Sequence, residues 1–317
     1  MVKSWITHYY RKLTPVDIIV SAHCVIMILL VALRLRKFPE TSIQYMLQYA
    51  VVLIAALVAA PAIDRAQHPL INNPFVKFLR YMYPMMLLGP FFQWTYPISK
   101  MFFVFPFEQR LLEADIALFG FNIARDLVHR WGDNYWLSEW FNFSYLSYYW
   151  VTLYLPLYLY FKKRYNDYFY VAFIAGMIIY ACFIFQAVFP AQGPVSYDPV
   201  SSGFIVAGPV SEFARNFLNT VDIPGGAMPS GHIAGTIAIF IFSWRFTRRA
   251  FWATAPIVVS LCIATVYCRY HYAVDGIAGI IVALIGVYMI GPRLYARLFP
   301  HLTGEGEQKY DEAAVPA

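Results

Sequence analysis

Two short segments concentrate the side chains able to do chemistry. The first is Met228-Pro229-Ser230-Gly231-His232, which follows the turn-rich Asp222-Ile223-Pro224-Gly225-Gly226 and opens an apolar run. Pro229 and Ser230 are helix-start residues, with Ser230 the N-cap candidate, so His232 falls in the first turn of the helix that follows. That turn offers unpaired backbone N–H groups and the positive end of a helix dipole, a ready anion site. The second segment is Arg269-Tyr270-His271-Tyr272-Ala273-Val274-Asp275. On a helix, His271 and Asp275 share one face and the carboxylate reaches the imidazole. An aspartate so placed takes the Nδ1–H and leaves Nε2 free as nucleophile or base. Arg269 adds a permanently charged fork suited to phosphate. Two histidines, a carboxylate, an arginine and a helix N-terminus around one anion make a phosphoryl-transfer site. One histidine attacks, the other protonates the leaving oxygen, and the cations and amides hold the equatorial oxygens. The competing reading of each histidine is a helix-packing residue bonded to a carbonyl; it suits His8, His23, His68, His129 and His301, which have no such company.

The elements that hold these segments are membrane helices. Of 317 residues, 60% are hydrophobic and 13% charged, against about 45–50% and about 25% in a soluble domain. Charges collect in short clusters between long apolar runs, which excludes a water-soluble globular protein. The net charge of +6 reflects basic residues beside apolar runs, so orientation in a bilayer explains it and nucleic acid is not an expected partner. Cys24, Cys182, Cys262 and Cys268 show no CxxC or zinc-like spacing.

Apolar runs fall near 16–33, 45–63, 78–97, 139–161, 168–189, 231–247, 251–268 and 273–291, predicting an all-α polytopic bundle of about eight spans. The first is read as a retained span, since it is too long for a signal peptide and lacks a small-residue cleavage site. The third is interrupted by Pro84, Pro90 and Pro97, and its Gly89-Pro90 step should kink or end a helix. One membrane domain, 1–301, is expected, with 302–317 a polar disordered tail. Counting basic residues on alternate sides puts Lys3, Arg11, Lys12, Arg65, Lys77 and Arg80, the clusters at 162–164 and 245–249, and Arg293, Arg297 and Lys309 on one side. The positive-inside rule makes that side cytoplasmic, with both termini, and places 98–138, 190–230 and 268–272 outside. The 98–138 connection contains an amphipathic stretch, apolar at Phe107, Leu111, Leu112, Ala114, Ile116, Leu118 and Phe119 and interrupted by Glu108, Arg110, Glu113 and Asp115. It predicts an interfacial helix capped at Gly120, followed by an aromatic belt at Trp131, Trp136 and Trp140. Asn142-Phe143-Ser144 matches a glycosylation acceptor but lies in a span, where the match is accidental.

The sequence resembles the type 2 phosphatidic acid phosphatase superfamily, whose second signature is PSGH, here 229–232, and whose third ends in His-x3-Asp, here His271 to Asp275 followed by Gly276-Ile-Ala-Gly279. Within it the chain looks most like the aureobasidin-sensitive inositol phosphorylceramide synthase branch. The residues behind that are His271-Tyr272, the Asp115–Gly120 segment, and Phe189-Pro190-Ala-Gln-Gly-Pro194 ahead of PSGH. The resemblance implies a six-helix catalytic core with its motifs within 189–279. It implies His271 as the nucleophile forming a phosphohistidine, Asp275 as its orienting partner, His232 as general acid, and Ser230 and Gly231 as phosphate contacts. The superfamily's first signature, a Lys six residues ahead of Arg-Pro, is missing, and Arg269 is closer to the histidine than the third signature usually has it. Arg269 and Arg215 are the cations left to compensate.

These readings converge on a membrane enzyme that moves a phosphoryl-linked group between lipids, with no cofactor and no metal. The expected partners are a phospholipid head-group donor and a lipid acceptor, with phosphoinositol-type transfer to a ceramide- or diacylglycerol-like alcohol as the expected reaction. A lipid phosphate phosphatase, in which water is the acceptor, is the alternative. A transporter, which would carry paired charges at mid-membrane in broken helices, or a non-enzymatic scaffold is the reading from a different class.

Overall fold

The computed structural model describes residues 13–59, 73–102, 107–197, 208–221, 223 and 225–303. Lys3, Arg11, Lys12, Arg65 and Lys309, the turn residues Asp222 and Pro224, and the polar tail beyond Thr303 lie outside the described residues. The described chain runs through α1 (Pro15–Ala32), α2 (Pro39–Ile54), α3 (Pro74–Met86), α4 (Leu88–Phe102), α5 (Glu108–Phe119), α6 (Ile123–Trp131), α7 (Tyr135–Leu146), α8 (Tyr148–Phe161), α9 (Tyr165–Val188), α10 (Pro209–Val221), α11 (Gly231–Phe246), α12 (Arg248–Tyr267), α13 (Ala273–Leu284) and α14 (Gly291–Leu298). Among the described residues there is no β-strand, so the all-α expectation holds.

Five of these helical stretches are long and apolar enough to cross a bilayer: α1, α2 with the π turn that prolongs it to Val58, α9, α12, and α13 running through a second π turn into α14. The other three apolar runs are helical but shorter or divided. The run at 78–97 breaks at Leu87 between α3 and α4. Pro90 stands in the first turn of α4, where a missing N–H has no intrahelical acceptor to lose. The run at 139–161 divides at Ser147, whose Oγ donates back to the Ser144 carbonyl at 2.5 Å. The run at 231–247 becomes α11, 16 residues long, about 24 Å of helix against a hydrocarbon core of about 30 Å.

The described residues form two compact units. One draws on 1–88, 156–177 and 286–317, the other on 89–155 and 178–285. In the first unit, Asp17 closes the start of α1, its Oδ2 accepting from Thr14 N at 2.8 Å. It also takes both guanidinium nitrogens of Arg80, at 2.9 and 2.6 Å, and the Tyr83 hydroxyl at 2.6 Å. Arg80, counted above among the topology-setting charges, is thus buried against a buried aspartate, because a bidentate carboxylate satisfies it inside the fold.

In the second unit, α11 packs on α12 and α13, α7 on α10 and α12, and α5 on α13. Gly276 and Gly279 permit the α11–α13 approach: a Cβ on Gly279 would stand 2.6 Å from the Ser230 carbonyl oxygen, and one on Gly276 2.9 Å from Ile233 Cδ1. Helix α5 ends at Gly120 with φ +82°, the left-handed cap expected there. Two of its three acidic residues point inward: Glu108 and Asp115 are buried while Glu113, Ile116, Leu118 and Phe119 are exposed. That inside-out pattern suits a helix whose apolar face meets lipid and whose carboxylates find partners in the protein. Trp131, Trp136 and Trp140 are exposed as well, and Asn142 and Ser144 are buried within α7.

Candidate active site

Ser230 is the N-cap of α11, its Oγ accepting from Ile233 N at 3.3 Å, so His232 stands in the first turn as the sequence predicts. Among the described residues, none accepts from the Gly231 or His232 amide, and these two donors with the helix dipole form the part of the site that an anion can occupy. The preceding loop is held by Gln186 of α9, whose Nε2 donates to the Gly226 and Pro229 carbonyls, both at 2.9 Å.

His271 approaches from the loop between α12 and α13. The expected shared helix face does not form, because α13 begins at Ala273 and His271 lies before its N-cap, Tyr272. The two residues still meet: Nδ1 of His271 is 3.6 Å from Asp275 Oδ2. That is beyond hydrogen-bond length, and Nδ1 instead donates to the Ala227 carbonyl at 2.9 Å. A carbonyl can only accept, so Nδ1 carries the proton and neutral His271 has a bare Nε2. The tautomer is the expected one, set by a different partner. Asp275 Oδ2 accepts from Tyr272 N at 2.9 Å, and the Asp275 carbonyl accepts from Ser230 N at 3.1 Å, which ties the two motifs together.

Nε2 of His271 faces Ser230 Oγ at 3.2 Å and His232 Nδ1 at 3.4 Å. Ser230, His271 and Asp275 are buried, whereas His232 is half-buried. Arg269 is buried in the turn just before His271, with φ +62°, and its carbonyl accepts from Val195 N at 2.9 Å. The Phe189–Pro194 segment is anchored there too, since a Cβ on Gly193 would strike the Tyr270 carbonyl. The structure therefore gathers Ser230, Gly231, His232, His271 and Asp275, with Arg269 in the adjoining turn. Arg215 is exposed on α10, whose buried residues are Ser211, Ala214 and Leu218.

Four contributors went unassigned in the sequence: Asp115, Ala227, Tyr145 and Gln186. Asp115 of α5 accepts from the Ala273 and Val274 amides at 3.0 and 2.9 Å, capping α13 from another helix. These bonds oppose the burial that raises its carboxyl above the ordinary value. Because Asp115 occupies those donors, the helix N-terminus with open amides is that of α11 and not that of α13. Ala227 contributes a main-chain carbonyl, for which no side-chain signal exists. Tyr145 of α7 places its hydroxyl 3.3 Å from His232 Nε2. Gln186, which holds the loop before Ser230, had a readable signal as a polar residue within an apolar run, and Asp115 stood at the head of a segment behind the resemblance.

A family model described as the PAP2 superfamily matches residues 109–289, which include both histidine motifs and Asp115. A PA-phosphatase related-family protein of Dictyostelium discoideum is 32% identical over 111 residues, covering 32% of this chain and 19% of that protein; the chain thus spans about a fifth of its relative's length. No solved structure gives a significant match. With more than half its length matched by the family model and both signature histidines facing each other, the chain belongs to the PAP2 superfamily.

Proposed function

We propose that this protein is an integral membrane phosphotransferase that moves a phosphoinositol-type head group from a phospholipid to a ceramide- or diacylglycerol-like alcohol through a phosphohistidine on His271. Membership of the PAP2 superfamily implies phosphatase or phosphotransferase chemistry on lipid phosphates. The observation that carries the reading is the approach of His271 Nε2 to His232 Nδ1, 3.4 Å, at a helix N-terminus with two uncommitted amides. His271, its proton held on Nδ1, attacks phosphorus through Nε2. His232 protonates the departing diacylglycerol oxygen and then takes the proton of the incoming alcohol. The Gly231 and His232 amides and Arg269 hold the equatorial oxygens, Ser230 orders that turn, and Asp275 stabilises the positive charge that His271 acquires. Arg215, exposed and away from these contacts, is left as a residue for capture of anionic head groups.

The inositol assignment rests on the resemblance of His271-Tyr272, Asp115–Gly120 and Phe189–Pro194 to the synthase branch. The alternative, hydrolysis with water as acceptor, draws on the name of the Dictyostelium relative. The charge count supports cytoplasmic termini and a site on the opposite face. Purified protein given labelled phosphatidylinositol with ceramide or diacylglycerol decides between them. Label appearing in the acceptor lipid supports transfer, release of phosphoinositol or phosphate supports hydrolysis, and unchanged lipid with correctly folded protein rejects both.

A further inference from the structure

We infer that Tyr145 is a positioning residue for the general acid, whose hydroxyl alternately donates to and accepts from His232 Nε2 and so lets the opposite nitrogen, Nδ1, hold or release the proton facing the reaction. The inference rests on the phosphotransfer reading above. Its basis is a chain of contacts with one self-consistent direction. At one end the Ala227 carbonyl can only accept, which puts a proton on His271 Nδ1. Neutral His271 then offers a lone pair at Nε2, faced by the Ser230 hydroxyl at 3.2 Å and by His232 Nδ1 at 3.4 Å; a bare nitrogen cannot donate, so in the contact between the two imidazoles His232 Nδ1 is the donor. With its proton on Nδ1, neutral His232 has a bare Nε2, so the Tyr145 hydroxyl at 3.3 Å donates to it.

Packing fixes Tyr145 in this role. It is 1% exposed, clusters with Leu218 and Ala264, and lies against the Tyr270 ring at 4.6 Å and the His232 ring at 4.9 Å between centroids. Tyr148 contacts the same imidazole, at 4.5 Å, yet the structure gives the hydrogen bond to Tyr145.

In the first half-reaction, His232 enters as the imidazolium with both nitrogens protonated, and Tyr145 oxygen accepts from Nε2–H. The Nδ1 proton passes to the diacylglycerol oxygen as the P–O bond breaks and the bond from phosphorus to His271 Nε2 forms. His232 is left neutral with its proton on Nε2, still held by the Tyr145 oxygen. In the second half-reaction, bare Nδ1 removes the proton of the acceptor hydroxyl as that oxygen attacks phosphorus and the P–N bond breaks, restoring the imidazolium. Loss to solvent of the other proton, the one on Nε2, returns neutral His232 with its proton on Nδ1, and the tyrosine hydroxyl rotates to donate again; uptake of a solvent proton at Nε2 starts the next cycle. Tyrosine never loses its own proton. A hydroxyl serves both states, whereas phenylalanine serves neither.

A lost general-acid partner slows departure of an alkoxide, which needs a proton, far more than departure of 4-nitrophenolate, which does not. Full-length wild type, Tyr145→Phe, His232→Ala and His271→Ala are compared on phosphatidylinositol and on inositol 1-(4-nitrophenyl phosphate), two donors sharing the head group. Tyr145→Phe is expected to lower kcat on phosphatidylinositol at least about tenfold and on the aryl donor less than about threefold, with His232→Ala showing the same split at larger size. Turnover of the aryl donor also reports that the variant is folded. Equal losses on the two donors, or no loss on either, overturn the role of Tyr145. Turnover of neither donor by wild type, or full activity of His271→Ala, instead removes the phosphotransfer reading itself.

Discussion

His271 donates its Nδ1–H to the main-chain carbonyl of Ala227 at 2.9 Å, with the Asp275 carboxylate at 3.6 Å from the same nitrogen. Tautomer and charge stabilisation, which one aspartate supplies together in a Ser-His-Asp triad, are here divided between a carbonyl and a carboxylate.

That division predicts a mild phenotype for Asp275→Asn. Replacing the triad aspartate by asparagine costs about 10⁴ in kcat because the imidazole takes the wrong tautomer. With Ala227 holding the tautomer, the loss of head-group transfer should be limited to about 10- to 100-fold from missing charge stabilisation. A loss near 10⁴ in steady-state kinetics would show that the carboxylate sets the tautomer after all.

Asp115 should matter for stability and for the His271 turn together. Asp115→Ala strands the Ala273 and Val274 amides and is expected to cost about 1–2 kcal/mol, the scale of a lost N-cap. The sign of its pH dependence follows from burial, which raises the folded-state carboxyl above its ordinary 3.8. The unfolded chain therefore binds fewer protons in the interval above that value, and stability falls as pH rises through it. Thermal unfolding in detergent across that interval should show the slope in wild type and its absence in Asp115→Ala.

Gly279 tests how closely the two motifs must approach. An added Cβ would lie 2.6 Å from the Ser230 carbonyl oxygen and 3.3 Å from Ala234 N, and backbone atoms cannot give way as a side chain does. Gly279→Ala should move Ser230 and His232 away from His271 and lower kcat by about 10². Gly89→Ala, with no atom within 4 Å of its Cβ, should leave kcat unchanged.

In the first unit, Arg80→Ala leaves Asp17 without its bidentate partner. Removing one member of a buried pair typically costs about 3–5 kcal/mol, and a drop in thermal midpoint measured in detergent reports it. A midpoint unchanged from wild type would mean that Thr14 and Tyr83 alone satisfy Asp17.

Much of this molecule was legible in one dimension because it depends on short-range chemistry. Ser230 caps α11 and Gly120 ends α5 through hydrogen bonds spanning three or four residues, and such local rules can be read from residue type and spacing. Apolar runs marked the helices, because a chain in lipid must close its backbone hydrogen bonds within each segment. The helical spacing of His271 and Asp275 misled on detail, since the helix starts two residues too late to hold them both. Tertiary structure alone decided what surrounds the two imidazoles. Ala227 acts through a carbonyl that every residue possesses, Asp115 reaches an amide 158 positions away, and Tyr145 meets His232 across 87. Those contacts depend on how α5, α7, α11 and α13 pack, and hydrophobic packing is non-directional, so periodicity tells which faces seek cover but not which helix supplies it.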